Sequence, residues 1–391
     1  MNAINANTMT LDKDREVLRR YAAASKAREE ALCCPTQYDT AYLKVLPREI
    51  LERDYGCGDP TPYVREGETV LDLGSGSGKT CYILSQVVGP KGCVIGVDFN
   101  PDMLALAEGY RAGIARRIGW DNVTFRRARI QDLRTDIPRL EARIAEHPIA
   151  TYADYDAFEA FRHQAMETPL VADDSVDVIV SNCVLNLVHP DEKKDLFREM
   201  YRVLKVGGRV AISDIVSDEE VPAHLREDAE LWSGCVSGAF QESAFLRAFE
   251  EAGFHGIAIE KRDAQPWRTV EGIEFRAMTV TAHKGKEGAC WERHQAVIYK
   301  GPWREVRDDD GHVLRRGVST AVCDKTYRIF TSEPYRNEIF PVSPRVDIPL
   351  EKATPFDCAR AAPRHPRETK GMGYAATTDA APVCGPGGNC C

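Results

Sequence analysis

Apolar positions recur at helical spacing across 11–30 (LDKDREVLRRYAAASKAREE) and again across 40–55, where Pro47 interrupts; both stretches predict N-terminal cap helices. From Glu68 the period changes. TVLDLGSGSG is a short apolar run ending in glycines, GKTCYILSQVVG a helix stopped by Gly89-Pro90, and CVIGVDFN a second apolar run that reaches Asp98. Run, helix and run make a βαβ unit. PDMLALAEGYRAGIARRIGW then opens with Pro101 near the first helical position, and NVTFRRARI follows as a strand. SVDVIVSNCV (175–184) reads as a fourth strand, EKKDLFREMYRVLKVGG as a helix with a glycine C-cap, and RVAISDIV as a fifth strand.

This alternation predicts a doubly wound α/β domain over 67–217, preceded by a cap over 1–66. Between Leu133 and Val171 the chain is too long for a plain connection, and 134–170 is expected as an insertion with two helical stretches over one edge of the sheet. Residues 218–285 mix helices and strands and predict an α+β domain. Short strands and turns over 286–350 predict a small β-rich domain. The stretch 351–391 is rich in Pro, Ala and Thr and ends in VCGPGGNCC; with little to bury, it is expected to be disordered.

The chain has 391 residues with 43% hydrophobic and 28% charged positions, close to the globular average. No run approaches the ~20 apolar residues of a membrane span. Net charge is −9, which repels polyanions, so neither nucleic acid nor membrane is an expected partner. The start MNAINANTMTLDKDREVLRR carries no apolar h-region and is no Arg-rich transit peptide, which makes the cytoplasm the expected compartment. Thirteen cysteines in such a chain point to thiol chemistry or soft-metal binding more than to a disulfide framework, yet no two form a C-x-x-C pair. Taken singly, most would be small buried hydrophobes.

Asp72-Leu73-Gly74-Ser75-Gly76-Ser77-Gly78 follows a strand and opens a helix, where backbone alone can approach a ligand. A phosphate loop needs glycine at 73, which is Leu, and the dinucleotide fingerprint needs a third glycine where Lys79 stands. ATP is disfavoured and NAD second-best. Asp72 suits an ammonium group better than a pyrophosphate, and Asp98 suits ribose hydroxyls. The loop resembles the E/D-x-G-x-G-x-G signature of class I S-adenosylmethionine methyltransferases, a Rossmann-like doubly wound fold.

DYGCG (54–58), VSNCVLNLV (180–188), YRVLKVGGRVAISD (201–214) and LWSGCVSGA (231–239) extend the likeness, and the chain resembles the arsenite S-adenosylmethionine methyltransferase family over nearly its whole length. Cys57, Cys183 and Cys235 carry the specificity, because generic methyltransferases have no need for them. The resemblance implies that these three thiolates ligate trivalent arsenic, a soft acceptor that prefers sulfur, and that 218–285 is an arsenite-binding domain. It further implies that Cys33 and Cys57 form disulfides during the cycle, keeping the product arsenic trivalent; SKAREEAL precedes Cys33 in place of the family's usual lead-in, so Cys34 stays open as the alternative. For the cofactor S-adenosylmethionine it implies Asp72, Gly74, Gly76, Gly78 and Asp98, then Asn100 and Met103 beside adenosine, Ile130 and Gln131 near adenine, and Asn182 at the cleft. Met103 and Ile130 have an equal reading as core, and Cys81 and Cys93 are read as core cysteines. Arsenite and methylated arsenicals, as thiol conjugates, would be substrates, and glutathione or thioredoxin the reductant. Cys384, Cys390 and Cys391 read either as arsenic scavengers or as incidental thiols of a solvated tail. The competing functions are a class I methyltransferase for another small acceptor and a non-catalytic As(III) binder.

Overall fold

The computed structural model describes residues 2–32, 36, 38–358 and 362–378, with side chains left aside for 2–12 and 31. Cys33, Cys34, Cys384, Cys390 and Cys391 lie outside the described residues. The chain divides into two units, 1–285 and 286–391.

The first unit begins with helices α1 (Asn2–Ala24), α2 (Thr40–Leu43) and α3 (Arg48–Glu52), the last opening just after Pro47, which cannot continue a helix but sits well before one. Then come β1 (Thr69–Leu73), α4 (Lys79–Val88), β2 (Cys93–Asp98), α5 (Pro101–Ile118) and β3 (Val123–Arg127). The insertion supplies α6 (Ile137–Glu146) and α7 (Tyr152–Met166), the second opened by a capping box of Thr151 and Asp154. An Arg127–Glu141 ion pair ties α6 to β3, which is the edge strand. β4 (Val176–Asn182), α8 (Lys193–Val203) and β5 (Leu204–Ser217) follow, then α9 (Ala223–Arg226), α10 (Ala229–Ser233), β6 (Phe240–Gln241), α11 (Glu242–Glu251), β7 (His255–Arg262), β8 (Arg268–Val270) and β9 (Ile273–His283).

One nine-stranded sheet holds all of these strands, ordered β3-β2-β1-β4-β5-β9-β7 along its spine, with β6 on β5 and β8 on β9. Pairs from β3 to β5 are parallel; β9 joins β5, and β7 joins β9, antiparallel. The strands after 217 therefore extend the same sheet. β1 is buried along almost its whole length, as a central parallel strand covered on both faces must be. The glycine C-cap expected at the end of EKKDLFREMYRVLKVGG does not occur. α8 ends at Val203, and Gly207 and Gly208 lie inside β5, where the pairing with β4 slips between Val176 and Val178. There the glycines serve an irregularity of the sheet instead of a helix end.

The second unit contains β10 (Trp291–Glu292), β11 (Ala296–Tyr299), β12 (Glu305–Arg307), β13 (Val313–Arg315), β14 (Ser319–Ala321), α12 (Asp324–Phe330), β15 (Ile339–Val342), β16 (Thr354–Pro355) and α13 (Pro366–Lys370). β11 lies between β14 and β15, over a core of Val297, Tyr299, Leu314, Val322 and Phe330. The expectation of disorder over 351–391 fails for its described part. β16 pairs with β10, and Arg364 is buried with its guanidinium on Glu292 and Glu368. Composition missed this because the anchor is one charged residue whose partners lie elsewhere in sequence.

Candidate active site

Between β1 and β4 the strand order reverses direction, and the crevice at the carboxyl ends of such strands is where an open α/β sheet binds ligands. β1 runs into the glycine loop and β4 into Cys183, so both chemistry-bearing segments arrive at one place. A cleft of about 1070 Å³ opens there, lined by Asp72, Gly74, Gly76, Asp98, Asn100, Met103, Ile130, Gln131, Asn182 and Cys183, among others.

Gly74, Gly76 and Gly78 all have positive φ (74°, 50° and 81°), which glycine adopts without the Cβ penalty. At Gly74 a Cβ would also collide with Val184, just after Cys183, so the loop and the β4 terminus pack backbone against side chain. Asp98 accepts from Gly76 N and Asn100 N, both at 2.8 Å, which locks the loop to the end of β2. Asn100 caps α5 and donates to the Leu18 carbonyl of α1 at 3.1 Å. Asp72 is buried, and that burial pushes its carboxyl up to about 7, against the opposing hydrogen bond from the Cys81 thiol at 3.2 Å. Burial likewise raises Asp98, opposed by the backbone N–H groups it accepts from. Met103 is buried with Ala24 and Leu32 yet lines the cleft, and Ile130 does the same from the main core, so each serves both of its readings. Gln131 donates to Glu192 at 2.9 Å.

Of the three expected sulfur ligands, Cys183 lines this cleft, and the other two meet it there. Cys57 and Cys183 are joined as a disulfide, with Cα atoms 6.0 Å apart. Cys235 donates its thiol to the Cys183 carbonyl at 3.1 Å and lies 3.6 Å from the Tyr21 hydroxyl. Burial drives the Tyr21 hydroxyl well above its usual range, so it stays protonated beside that sulfur. Cys183 and Cys235 both have positive φ, 58° and 60°. A non-glycine residue pays roughly 1–2 kcal/mol there, and such strained positions cluster at functional sites. Asn186 ties the two segments together, donating to the carbonyls of Ile215 and Cys235 at 2.7 and 3.2 Å. Beneath them Asp214 accepts from Leu185 N and Ile215 N; burial pushes it up to about 6, while burial pulls the Lys193 ammonium nearby down to about 7.

Asn182, expected at the cofactor, spends its amide on the Cys57 segment. Its Oδ1 accepts from Cys57 N and Gly58 N at 2.6 and 2.9 Å, and its Nδ2 donates to Gly58 O at 2.6 Å. The segment can lie this flat because a Cβ at Gly58 would collide with the Ser213 hydroxyl on β5.

The methyltransferase domain family model matches residues 65–140 and 149–253, and a domain of unknown function (DUF8838) matches 286–374. An arsenite methyltransferase from Aquipseudomonas alcaligenes is 34% identical over 313 residues, 76% of this chain and 80% of that protein. The chain belongs to the arsenite methyltransferase family. The human arsenite methyltransferase is 30% identical, the match covering 76% of this chain and 72% of that one. The crystal structure of an arsenic(III) S-adenosylmethionine methyltransferase from Chlamydomonas reinhardtii, 27% identical, superposes with a TM-score of 0.54 over 83% of this chain and all of that one. The family's class I methyltransferase fold is thus the fold of the first unit.

Sequence reasoning overlooked Tyr21, Ser75, Asn186 and Asp214. Ser75 carried a signal, since it sits inside the glycine loop; its buried hydroxyl lines the cleft with no hydrogen-bond partner. Asn186 and Asp214 lay in the quoted stretches VSNCVLNLV and YRVLKVGGRVAISD without a pattern to single them out. Tyr21 lies on the cap helix, 214 residues from its sulfur partner.

Proposed function

We propose that this chain transfers methyl groups from S-adenosylmethionine to trivalent arsenic held by the sulfurs of Cys57, Cys183 and Cys235. The observation that carries the reading is that Cys57 and Cys183 are close enough to be bonded, and Cys235 touches the Cys183 backbone, at the rim of a cleft built on the glycine loop.

The cleft suits the cofactor. Asp98 and Asp72 offer carboxylates, the Ser75 hydroxyl is an unpartnered polar group, and Gly74 and Gly76 leave room for close approach. Asp72, Gly74, Gly76, Gly78 and Asp98 would hold it, with Asn100, Met103, Ile130 and Gln131 around the base. Bound there, it supplies an electrophilic methyl group.

The chain's own residues do the rest. Two thiol equivalents from glutathione or thioredoxin open the Cys57–Cys183 disulfide; the protein sulfurs gain the protons and the reductant leaves as a disulfide. Arsenous acid then exchanges its three hydroxyls for the three protein sulfurs, the thiol protons leaving with the hydroxyls as three waters, with no change of oxidation state. Pyramidal coordination by three sulfurs leaves the arsenic lone pair exposed. Since arsenic has no proton to lose, no general base is needed, and orientation and exclusion of water carry the rate. His189 fits this: its Nδ1 accepts from Asp191 N and caps a turn. After transfer, two thiolates that leave joined as a disulfide return two electrons to arsenic, and Cys57–Cys183 is such a pair.

Purified protein given labelled S-adenosylmethionine, glutathione and As(III) should yield methylated arsenicals. Absence of product while calorimetry still registers cofactor binding would move the reading to a methyltransferase for another acceptor.

A further inference from the structure

Outside the transfer site, the described residues bring together a second set of three sulfurs. Cys290, Cys323 and Cys358 place their Sγ atoms within 4.8 Å of one another, in the unit whose family model carries no function. They come from three separate segments. Cys290 immediately precedes β10 and Cys358 follows β16; the pairing of these strands, continued by Phe356 N donating to Cys290 O at 2.9 Å, sets the two side by side. Cys323 is fully buried at the start of α12, its sulfur accepting from Thr326 N at 3.4 Å. Cys290 and Cys358 are only partly buried, which leaves the group open to solutes.

The set has three donors. Among the described residues no fourth histidine, cysteine or carboxylate joins it. Structural zinc takes four ligands in a tetrahedron, whereas an ion with a stereochemically active lone pair takes three sulfurs in a pyramid. The Lys325 ammonium lies close to Cys290. Lys325 is held in place by the Lys286 and Gly288 carbonyls at 2.9 and 3.0 Å.

We propose that Cys290, Cys323 and Cys358 form a second binding site for a pyramidal thiophilic ion of the trivalent arsenic class, separate from the site of methyl transfer. Binding is ligand exchange: three As–O bonds of arsenous acid break, three As–S bonds form, and the thiol protons leave with the hydroxyls as three waters. Nothing is oxidised or reduced.

The test uses the full chain, reduced and freed of small thiols, with arsenite as the probe, and reads arsenic per chain after gel filtration together with the arsenic–sulfur coordination number by X-ray absorption. On a Cys183→Ser background, which disables the transfer site, arsenic stays bound with three sulfur neighbours. Adding Cys323→Ser or Cys358→Ser lowers its affinity at least ~10-fold. Serine at 323 keeps a good helix cap, so loss of folding is not the cause, and Cys358→Ser sits at a half-exposed position as an independent check. Arsenic content unchanged by both variants overturns the proposal. So does arsenic that disappears only when Cys390 and Cys391 are replaced, or zinc that copurifies and resists arsenite. No methyl transfer enters the readout, so this site stands or falls independently of the proposed reaction.

Discussion

Two sulfur sets in one chain differ in what surrounds them. Cys183 sits at the carboxyl end of a parallel strand where the sheet's connections diverge, and it faces a deep cleft. It and Cys235 are held on left-handed backbone, and a disulfide already links Cys183 to Cys57. Cys290, Cys323 and Cys358 belong to short antiparallel pairings and a helix start, beside a lysine, and their thiols are not bonded to one another. The contrast separates the two uses we propose for one ligand type: sulfurs on left-handed backbone, two of them already joined at a cleft, suit turnover, whereas unjoined thiols near a fixed cation suit retention.

The largest expected effect breaks the first set alone. Cys183→Ser should abolish arsenic methylation while S-adenosylmethionine binding by calorimetry stays within about threefold, because the cleft's carboxylates and glycines are untouched. Retained turnover would remove the ligand assignment. Cys323→Ser, its counterpart in the second set, should leave the methylation rate unchanged. Gly58→Ala comes next. Its Cβ has to displace Ser213 or lift the Cys57 segment off Asn182, and a misplacement of about 1 Å can cost on the order of 100-fold. A rate within twofold of wild type would show that the segment's position is not limiting.

Asp72 gives a smaller effect with a definite sign. Its carboxyl titrates near 7 in the folded protein against 3.8 for the unreacted group, so the stability linked to it is complete below about 4 and fades as pH rises through 7 in the ligand-free protein. Binding runs the other way, since a cationic ligand needs the carboxylate. Cofactor affinity should fall as pH drops from 8 to 6, by up to ~10-fold per unit below 7, and Asp72→Asn should flatten the profile. A wild-type profile as flat as the variant's would exclude Asp72 from the ligand. Tyr21→Phe should be the mildest, slowing methylation about threefold through loss of a hydroxyl beside the Cys235 sulfur. Rates equal to wild type would make that contact incidental.

The two regions also differed in how far their sequence could be read. The alternation of apolar runs and helices exposed the parallel core, and the spacing of Gly74, Gly76 and Gly78 exposed the loop, because both are local patterns. Cys57, Cys183 and Cys235 were found through family likeness. Asn182 was expected at the cofactor; only the packing of the 54–58 segment shows that its amide is engaged with that segment. The thiols of the second unit gave no signal at all. They are too far apart for any short ligand motif, and β10–β16 pairing, which brings two of them together, involves two-residue strands that no periodicity reveals. Arg364 escaped notice for the same reason, being a buried charge with a partner 72 residues away.

The Cys57–Cys183 bond spans 126 residues. Closed, it turns the polypeptide from Cys57, through β1 and the glycine loop to the end of β4, into a covalent ring; open, the chain is linear. A ring of that size restricts the unfolded ensemble by on the order of 4–5 kcal/mol in the chain-entropy view. Each reduction therefore changes the topology of the molecule, and the fraction of protein in either state can be counted directly as two bands of different mobility on a denaturing gel run with and without reductant.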